Sequence, residues 1–392
     1  MLLPVADAQA RLFALAPTIP VEAVALAEAV GRFAAEPITA RRTQPYATLS
    51  AMDGYAIRFA DMPGPWRVIG ESAAGHPFAG QVGPGEATRI FTGAAVPEGA
   101  DTVLVQEEAA REGERLLLAG EGPAWQGRNT RDRGLDFHEG ETLLAAGETL
   151  TAARLALVAA GGHDRTAVRR RLRVAIAATG DELRPAGAPL HPGELPESNG
   201  LMLTAMLAGL PVELVNLGIL PDDLAVLTTS FSAVEADLLV TSGGASVGDH
   251  DLVRPALQAA GAAIDFWRVA LRPGKPLMAG RRGNTVVMGL PGNPVSAFVT
   301  ALLFVRPLLA HMAGAADPLP RRWRVTLGDA LPANGAREDY LRAELRDGRA
   351  YAASLQDSSM LRALARADCL IVRPPNARPA QAGDSAEVLP LA

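Results

Sequence analysis

A short run, Leu238-Leu-Val240, flows directly into Thr241-Ser-Gly-Gly-Ala-Ser-Val-Gly-Asp249. Three apolar residues without polar alternation suit a strand buried on both faces. The glycines that follow permit positive φ and let another group approach the backbone closely. Residues 251–260 then read as a helix. Strand, glycine-rich turn and helix start, in that order, make an anion-binding corner, because free backbone N–H groups and the positive end of the helix face one point. An ordinary tight βα turn has the same composition, so its meaning depends on what the chain places beside it.

From residue 171 onward strands and helices alternate. Strands are expected at 172–177, 212–217, 238–240, 265–270 and 285–288, with helices at 199–208, 222–233, 251–260 and 294–312. Such alternation predicts a three-layer α/β domain with a mostly parallel sheet. Ligands of such sheets bind at the carboxyl ends of the strands. Residues 1–35 and 151–160 read as helical and are expected to pack together. Between them, 45–139 is rich in Gly and Pro and carries short β-like runs such as Trp66-Arg-Val-Ile69 and Thr102-Val-Leu-Val105, so it reads as an inserted small β domain. Past Pro318 further β-like runs predict a C-terminal β domain. The expected division is 1–44 with 140–168 (a discontinuous helical and linker domain), 45–139 (β), 169–316 (α/β) and 317–392 (a β-barrel-like domain).

Composition removes whole classes of function. At 392 residues the chain exceeds one core. A net charge of −6, with no basic block longer than Arg169-Arg-Arg171, argues against nucleic-acid binding. One cysteine, Cys369, rules out internal disulfides and Cys-cluster zinc, and fits a reducing, cytoplasmic setting. The most apolar window, 295–305, is too short to span a bilayer and ends at Arg306-Pro307, so no membrane partner is expected.

Four polar segments fall at expected strand ends: Thr179-Gly-Asp-Glu182, the glycine run with Asp251, Arg272-Pro-Gly-Lys-Pro276 and Leu290-Pro-Gly-Asn-Pro-Val-Ser296. Each has an ordinary explanation: a solvated turn, a surface lysine, or an Asn293 N-cap with Pro294 at the first helical position. Loops that follow parallel strands share one edge, so together they predict a single site. Arg272, Lys275 and the helix start after Asn293 suit oxyanions. Asp181, Glu182, Asp222, Asp249 and Asp251 supply acidic oxygens, and carboxylates beside phosphates suit magnesium. The expected ligand is a phosphorylated substrate handled with that metal. No Walker-type Gly-Lys-Ser/Thr run, dinucleotide fingerprint or Gly-x-Ser-x-Gly elbow occurs.

These segments, together with Ser50-Ala-Met-Asp-Gly-Tyr-Ala56, Phe91-Thr-Gly-Ala-Ala-Val-Pro97 and Arg131-Asp-Arg-Gly-Leu-Asp136, resemble the molybdopterin molybdenumtransferases. These are the MoeA family, similar also to the C-terminal part of gephyrin. The motifs run in family order from about Ser50 to Ser296. The resemblance implies a molybdopterin-binding α/β domain and insertion of molybdate into adenylylated molybdopterin. Magnesium-dependent hydrolysis of the adenylate would then release molybdenum cofactor and AMP. It implies a homodimer with an active site shared between subunits, and dealings with the adenylyltransferase upstream and with molybdoenzyme acceptors.

Carried over residue by residue, the catalytic candidates are Asp53, Thr92, Glu182, Asp222, Asp251 and Lys275. Thr179, Asp181, Ser242, Gly243, Gly244, Ser246, Gly248, Asp249, Pro291, Asn293 and Pro294 would bind the pterin and its phosphate. Arg272, Lys275 and Ser296 would hold molybdate, and Glu182, Asp222 and Asp251 would hold magnesium. The family often carries lysine where Arg272 stands; arginine keeps the charge but changes the hydrogen-bond geometry. Asp53 precedes a glycine and has an ordinary role in fixing that turn. Two other readings remain: a molybdopterin adenylyltransferase sharing the α/β domain, and a non-catalytic gephyrin-like scaffold.

Overall fold

The computed structural model describes residues 2–244 and 252–391. By contacts the chain forms two compact units, one of residues 1–36, 146–151 and 167–392, the other of 37–145 and 152–166.

The first unit begins with helix α1 (Val5–Ala14). The helix expected over 1–35 stops there because Pro17 and Pro20 cannot donate to it. Val24 instead sits on the short strand Val21–Ala25. Val5, Ala8 and Leu12 are buried in the same core as the long helix described below.

The second unit carries strands β1 (Gly54–Ile57), β2 (Trp66–Ser72), β3 (Glu86–Ile90), β4 (Thr102–Val105), β5 (Ala109–Glu112) and β6 (Arg115–Leu118). They form one sheet in the order β4-β1-β3-β2-β6-β5. Its core gathers Ile57, Trp66, Leu104 and Leu116. Helix α2 (Ala152–Ala160) belongs to this unit and packs on the strand Thr142–Leu144. The two helical segments expected to pair thus each have their own partner.

The α/β part of the first unit holds β7 (Leu172–Thr179), α3 (Asn199–Leu207), β8 (Val212–Leu220), α4 (Leu224–Ser232), β9 (Leu238–Ser242), α5 (Val253–Ala259), β10 (Ala263–Arg268), β11 (Pro276–Arg282) and β12 (Thr285–Leu290). The sheet order is β8-β7-β9-β12-β11-β10. The first four strands are parallel; β11 runs antiparallel to both neighbours. β11 was not legible as a strand, because it opens on Pro276 and lacks alternation. Its Gly280 is pressed against β10, where an added Cβ would lie 2.3 Å from the carbonyl of Ala263.

Pleating sends alternate residues to opposite faces. Val174, Ile176, Val240 and Met288 meet α1, α3 and the long helix on one face. The small Ala175 and Ala177, with Leu239 and Val287, meet Leu227 and Phe231 of α4 and Leu257 of α5 on the other. This is why the central strands read as unbroken apolar runs.

The long helix runs as α6 (Pro294–Thr300), a π turn over Ala301–Val305 and α7 (Arg306–Ala313). As one 20-residue span it is long and apolar enough by length and composition to cross a membrane, which corrects the shorter window read from the sequence. However, 78% of it is buried inside the protein, so core packing accounts for its apolarity.

The C-terminal strands β13 (Trp323–Leu327), β14 (Glu338–Arg346), β15 (Arg349–Ala352), β16 (Cys369–Arg373) and β17 (Ser385–Pro390) follow, with α8 (Leu361–Ala365) inserted before β16. The order β14-β15-β13-β17-β16 closes back on β14, giving a five-stranded barrel filled by Leu327, Ala343, Ile371 and Val388. Its Tyr340, Leu370 and Leu389 face the other way and join the α/β core. Ile176 is 1% exposed at the centre of that core. Ile176→Ala is expected to cost about 2–5 kcal/mol of unfolding free energy, read from the urea midpoint.

Candidate functional site

The carboxyl ends of β7, β9 and β12 and the amino end of β11 share one edge of the sheet. A cleft of about 730 Å³ opens there. Gly180, Glu182, Asp222, Gly243, Pro291 and Asn293 all line it. Turns separated by more than a hundred residues therefore do converge.

Close packing of backbone shapes the floor. Gly243 has φ +99°, and a Cβ there would lie 2.3 Å from the Thr179 carbonyl; Gly244 has φ +59°, and a Cβ there would lie 2.2 Å from Val253. Neither position admits a side chain. The Thr179 hydroxyl beside them is buried and has no hydrogen-bond partner among the described residues. Ser246, Gly248, Asp249 and Asp251 lie outside the described residues.

Glu182 and Asp222 stand at one end. The helix expected from residue 222 starts later: Asp223 is the N-cap, accepting from the N–H groups of Ala225 and Val226 at 2.8 and 2.9 Å. That leaves the Asp222 carboxylate free of capping. Asp181 turns its own carboxylate back to accept from the Asp222 N–H at 3.0 Å. Burial, and then repulsion from Asp181, raises the Asp222 pKa; the nearby Glu182 adds to the shift. The charged residues lining the described cleft, Glu182, Glu197 and Asp222, are all acidic.

The expected cations are arranged differently. Arg272 lies on the short strand Leu271–Arg272, which pairs with β14, and its guanidinium faces the buried Asp339 at 3.8 Å. Its side chain nevertheless stays 55% exposed. Lys275 is exposed one residue before Pro276, which does line the cleft. Ser296 is 5% exposed within α6 and is not among the lining residues. Asn293 sits at the N-cap without capping; its amide donates to Ser358 Oγ at 3.0 Å, while Ser358 O accepts from Val295 N–H at 3.0 Å. With Pro294 lacking an N–H, the helix start is less open to an anion than the sequence suggests.

Several contributors carry no motif in the sequence. Asn199 donates to Ser242 Oγ at 2.8 Å and to Gly292 O at 2.7 Å, tying the glycine turn to the Pro291 loop. Its signal was a Ser-Asn-Gly helix start after a Pro/Gly-rich loop. Ser358, Ser359 and Leu361 come from the barrel side. The buried Arg342 holds that segment by donating to Leu355 O and Met360 O. Nothing local in the sequence announces it.

In the second unit, Asp53 and Thr92 meet. Asp53 Oδ1 accepts from Thr92 N–H at 2.7 Å and from Thr92 Oγ at 2.8 Å. These two bonds, and to a lesser degree Arg89, hold the Asp53 pKa below the usual carboxylate range. Arg89 in turn lies 4.8 Å above the Phe91 ring and bonds Gln106. The aspartate fixes the Thr92 turn rather than only its own. A smaller cavity, about 460 Å³, opens on the barrel around Tyr351 and Arg362 and holds none of the motif residues.

The mostly parallel α/β sheet with its glycine-floored, acid-lined cleft lies within residues 175–311, which match the family described as "Probable molybdopterin binding domain". Residues 3–162 match "MoeA N-terminal region (domain I and II)" and 324–391 match "MoeA C-terminal region (domain IV)". The chain belongs to the molybdopterin molybdenumtransferase (MoeA) family. A molybdopterin molybdenumtransferase of Haemophilus influenzae is 39% identical over 74% of this chain and 72% of its own. Molybdopterin molybdenumtransferase 2 of Mycobacterium tuberculosis is 34% identical over 94% of each. The crystal structure of a molybdopterin biosynthesis moeA protein from Pyrococcus horikoshii OT3 superposes with a TM-score of 0.84 at 27% identity, over all of both chains.

The raised pKa of Asp222 carries a sign. The protonated form is favoured by folding, so this contribution is full below the ordinary carboxylate pKa and is lost as pH rises through the raised one. Asp222→Asn is therefore expected to melt higher than the parent at pH 7. The difference should fade as pH falls towards 4, and thermal melts across that range measure it.

Proposed function

We propose that the protein inserts molybdate into adenylylated molybdopterin in the cytoplasm, hydrolysing the adenylate so that molybdenum cofactor and AMP leave. The convergence of Glu182 and Asp222 with Gly243 and Pro291 on one cleft supports this reading, as do the names of the relatives. In the hydrolysis, water adds across the phosphate–phosphate linkage, one side leaving as AMP. The Asp222 carboxylate lines the cleft where it would position that water, directly or through the metal. Gly243 and Gly244 let the turn lie flat against the end of β7, so that it lines the cleft beside Pro291 and Asn293.

Magnesium fits the donor set in a limited way. Among the described residues no group of three His, Cys, Asp or Glu could hold a metal. Yet magnesium commonly takes one or two carboxylates, with waters and substrate phosphates completing its shell. Glu182 and Asp222 offer that, and Asp251 is a further candidate outside the described residues. Bound there, it would offset the charge that a polyanionic ligand brings to an acid-lined cleft.

Purified protein with adenylylated molybdopterin, magnesium and molybdate is expected to release AMP in a molybdate-dependent way. Asp222→Ala and Asp251→Ala should each reduce that release at least about a hundredfold, the range for loss of a general base. Unchanged turnover would sink their roles, and adenylylated product formed from ATP would favour the adenylyltransferase reading.

The reading also takes the working form to be a homodimer in which a second copy completes the site. Asp53→Ala and Asp222→Ala proteins, each inactive alone, are then expected to regain part of the activity when mixed and allowed to exchange subunits. Two inactive variants that stay inactive together, while light scattering shows mixed dimers, would rule out a shared site.

A further inference from the structure

Away from the sheet edge, the C-terminal barrel has a chamber of its own, about 460 Å³. Three guanidinium groups line it, from Arg346, Arg362 and Arg366, with the two carboxylates of Asp329 and Glu344. Arg346 is already engaged: it pairs with Glu344 at 3.1 Å and lies 5.0 Å from the centre of the Tyr351 ring. That ring is fixed in turn, because it presses on Gly328 where any added Cβ would clash with it.

Arg362 and Arg366 differ. They stand four residues apart, on α8 and its C-cap, so they share one face and repel each other. Both are exposed, and neither has an ion-pair or hydrogen-bond partner among the described residues. Two forked cations held side by side suit one carboxylate or phosphate. Next to them the lining is apolar yet open, with Leu355 60% and Met360 37% exposed. Asp329 follows Gly328 at the Tyr351 side, and its charge disfavours a second acidic group there. The lining therefore suits a ligand with one acidic head and an uncharged body.

The same stretch of chain also reaches the main cleft. Leu355 and Met360 line the chamber, while Ser359 and Leu361 line the cleft. Arg342 donates to Leu355 O at 3.3 Å and to Met360 O at 3.2 Å. Gln356 accepts from the Arg342 N–H at 3.1 Å and donates to the Arg342 carbonyl at 3.0 Å. A ligand resting on Leu355 and Met360 thus bears on the few residues that wall the cleft.

We infer that the barrel chamber binds a small organic acid, its carboxylate or phosphate held by Arg362 and Arg366 and its apolar body against Leu355 and Met360. Binding there steadies the segment 355–361, so the chamber acts on the cleft wall from behind. The inference stands apart from the reaction assigned to the cleft.

The full-length protein is titrated by calorimetry with phenyl phosphate, benzoate, inorganic phosphate and benzyl alcohol. At least one of the two organic acids is expected to bind about tenfold (1.4 kcal/mol) more tightly than inorganic phosphate or the alcohol, and the tighter acid names the head group. Arg362→Gln/Arg366→Gln should weaken that binding about tenfold, and so should Leu355→Glu, which sets a like charge beside the head. Arg321→Gln/Arg324→Gln removes the same charge outside the chamber and should bind as the wild type does. Amide exchange over 355–361, followed by mass spectrometry, should slow about tenfold at ten times the Kd. The site is overturned if neither acid binds, or if the control variant loses as much affinity as the chamber variants. It is overturned too if binding survives both chamber variants, as it would were the acids entering the main cleft. Inorganic phosphate binding as tightly as the acids removes the apolar half of the assignment, and unchanged exchange removes the link to the cleft.

Discussion

The architecture of the site depends on how closely the turn after β9 is pressed against the end of β7. Gly243 and Gly244 adopt positive φ with neighbouring atoms where any Cβ would be. The turn can lie that flat only because the neighbouring strands β7 and β12 are parallel to β9 and end at the same edge. Everything else at the rim takes its place around that contact, including Asn199, which joins Ser242 to Gly292. A residue with a side chain at either glycine would push the turn outward and part the loops that Asn199 bridges.

Electrostatics then gives the cleft its character. The charged residues of the described lining are all carboxylates, and burial first, then repulsion from Asp181, raises the Asp222 pKa. Such an arrangement opposes the folded state in isolation and is relieved by a positive partner. In the other unit the opposite design holds: two bonds from Thr92 to Asp53 stabilise the charged carboxylate. One acid is kept ready to change protonation, the other is kept ionised.

Much of this was readable in the amino-acid sequence because it is local. Buried parallel strands show as unbroken apolar runs, and the glycine turn and the Asn293-Pro294 helix start show as short motifs. What escaped is what tertiary contact decides. The antiparallel β11 carries no alternation, and its Gly280 is explained only by the approach of β10. Arg272 carries a charge that suits an anion, and its neighbour Asp339, 67 positions on in the sequence and 3.8 Å away, could not be foreseen. Asp222 and Asp223 are adjacent and chemically alike; only geometry shows that Asp223 caps the helix and Asp222 lines the cleft. The proline pair that ends α1 was visible but was outweighed by the apolar periodicity beyond it.

The barrel strand β14 supplies Arg342, whose guanidinium grips the carbonyls of Leu355 and Met360. That grip fixes the short segment whose Ser358 meets Asn293. The C-terminal barrel is therefore a rampart of the binding cleft and no mere appendage. An α/β domain cut free of it would keep the glycine turn and the Pro291 loop while losing the side that closes the cleft, so likeness of motif does not amount to likeness of enclosure.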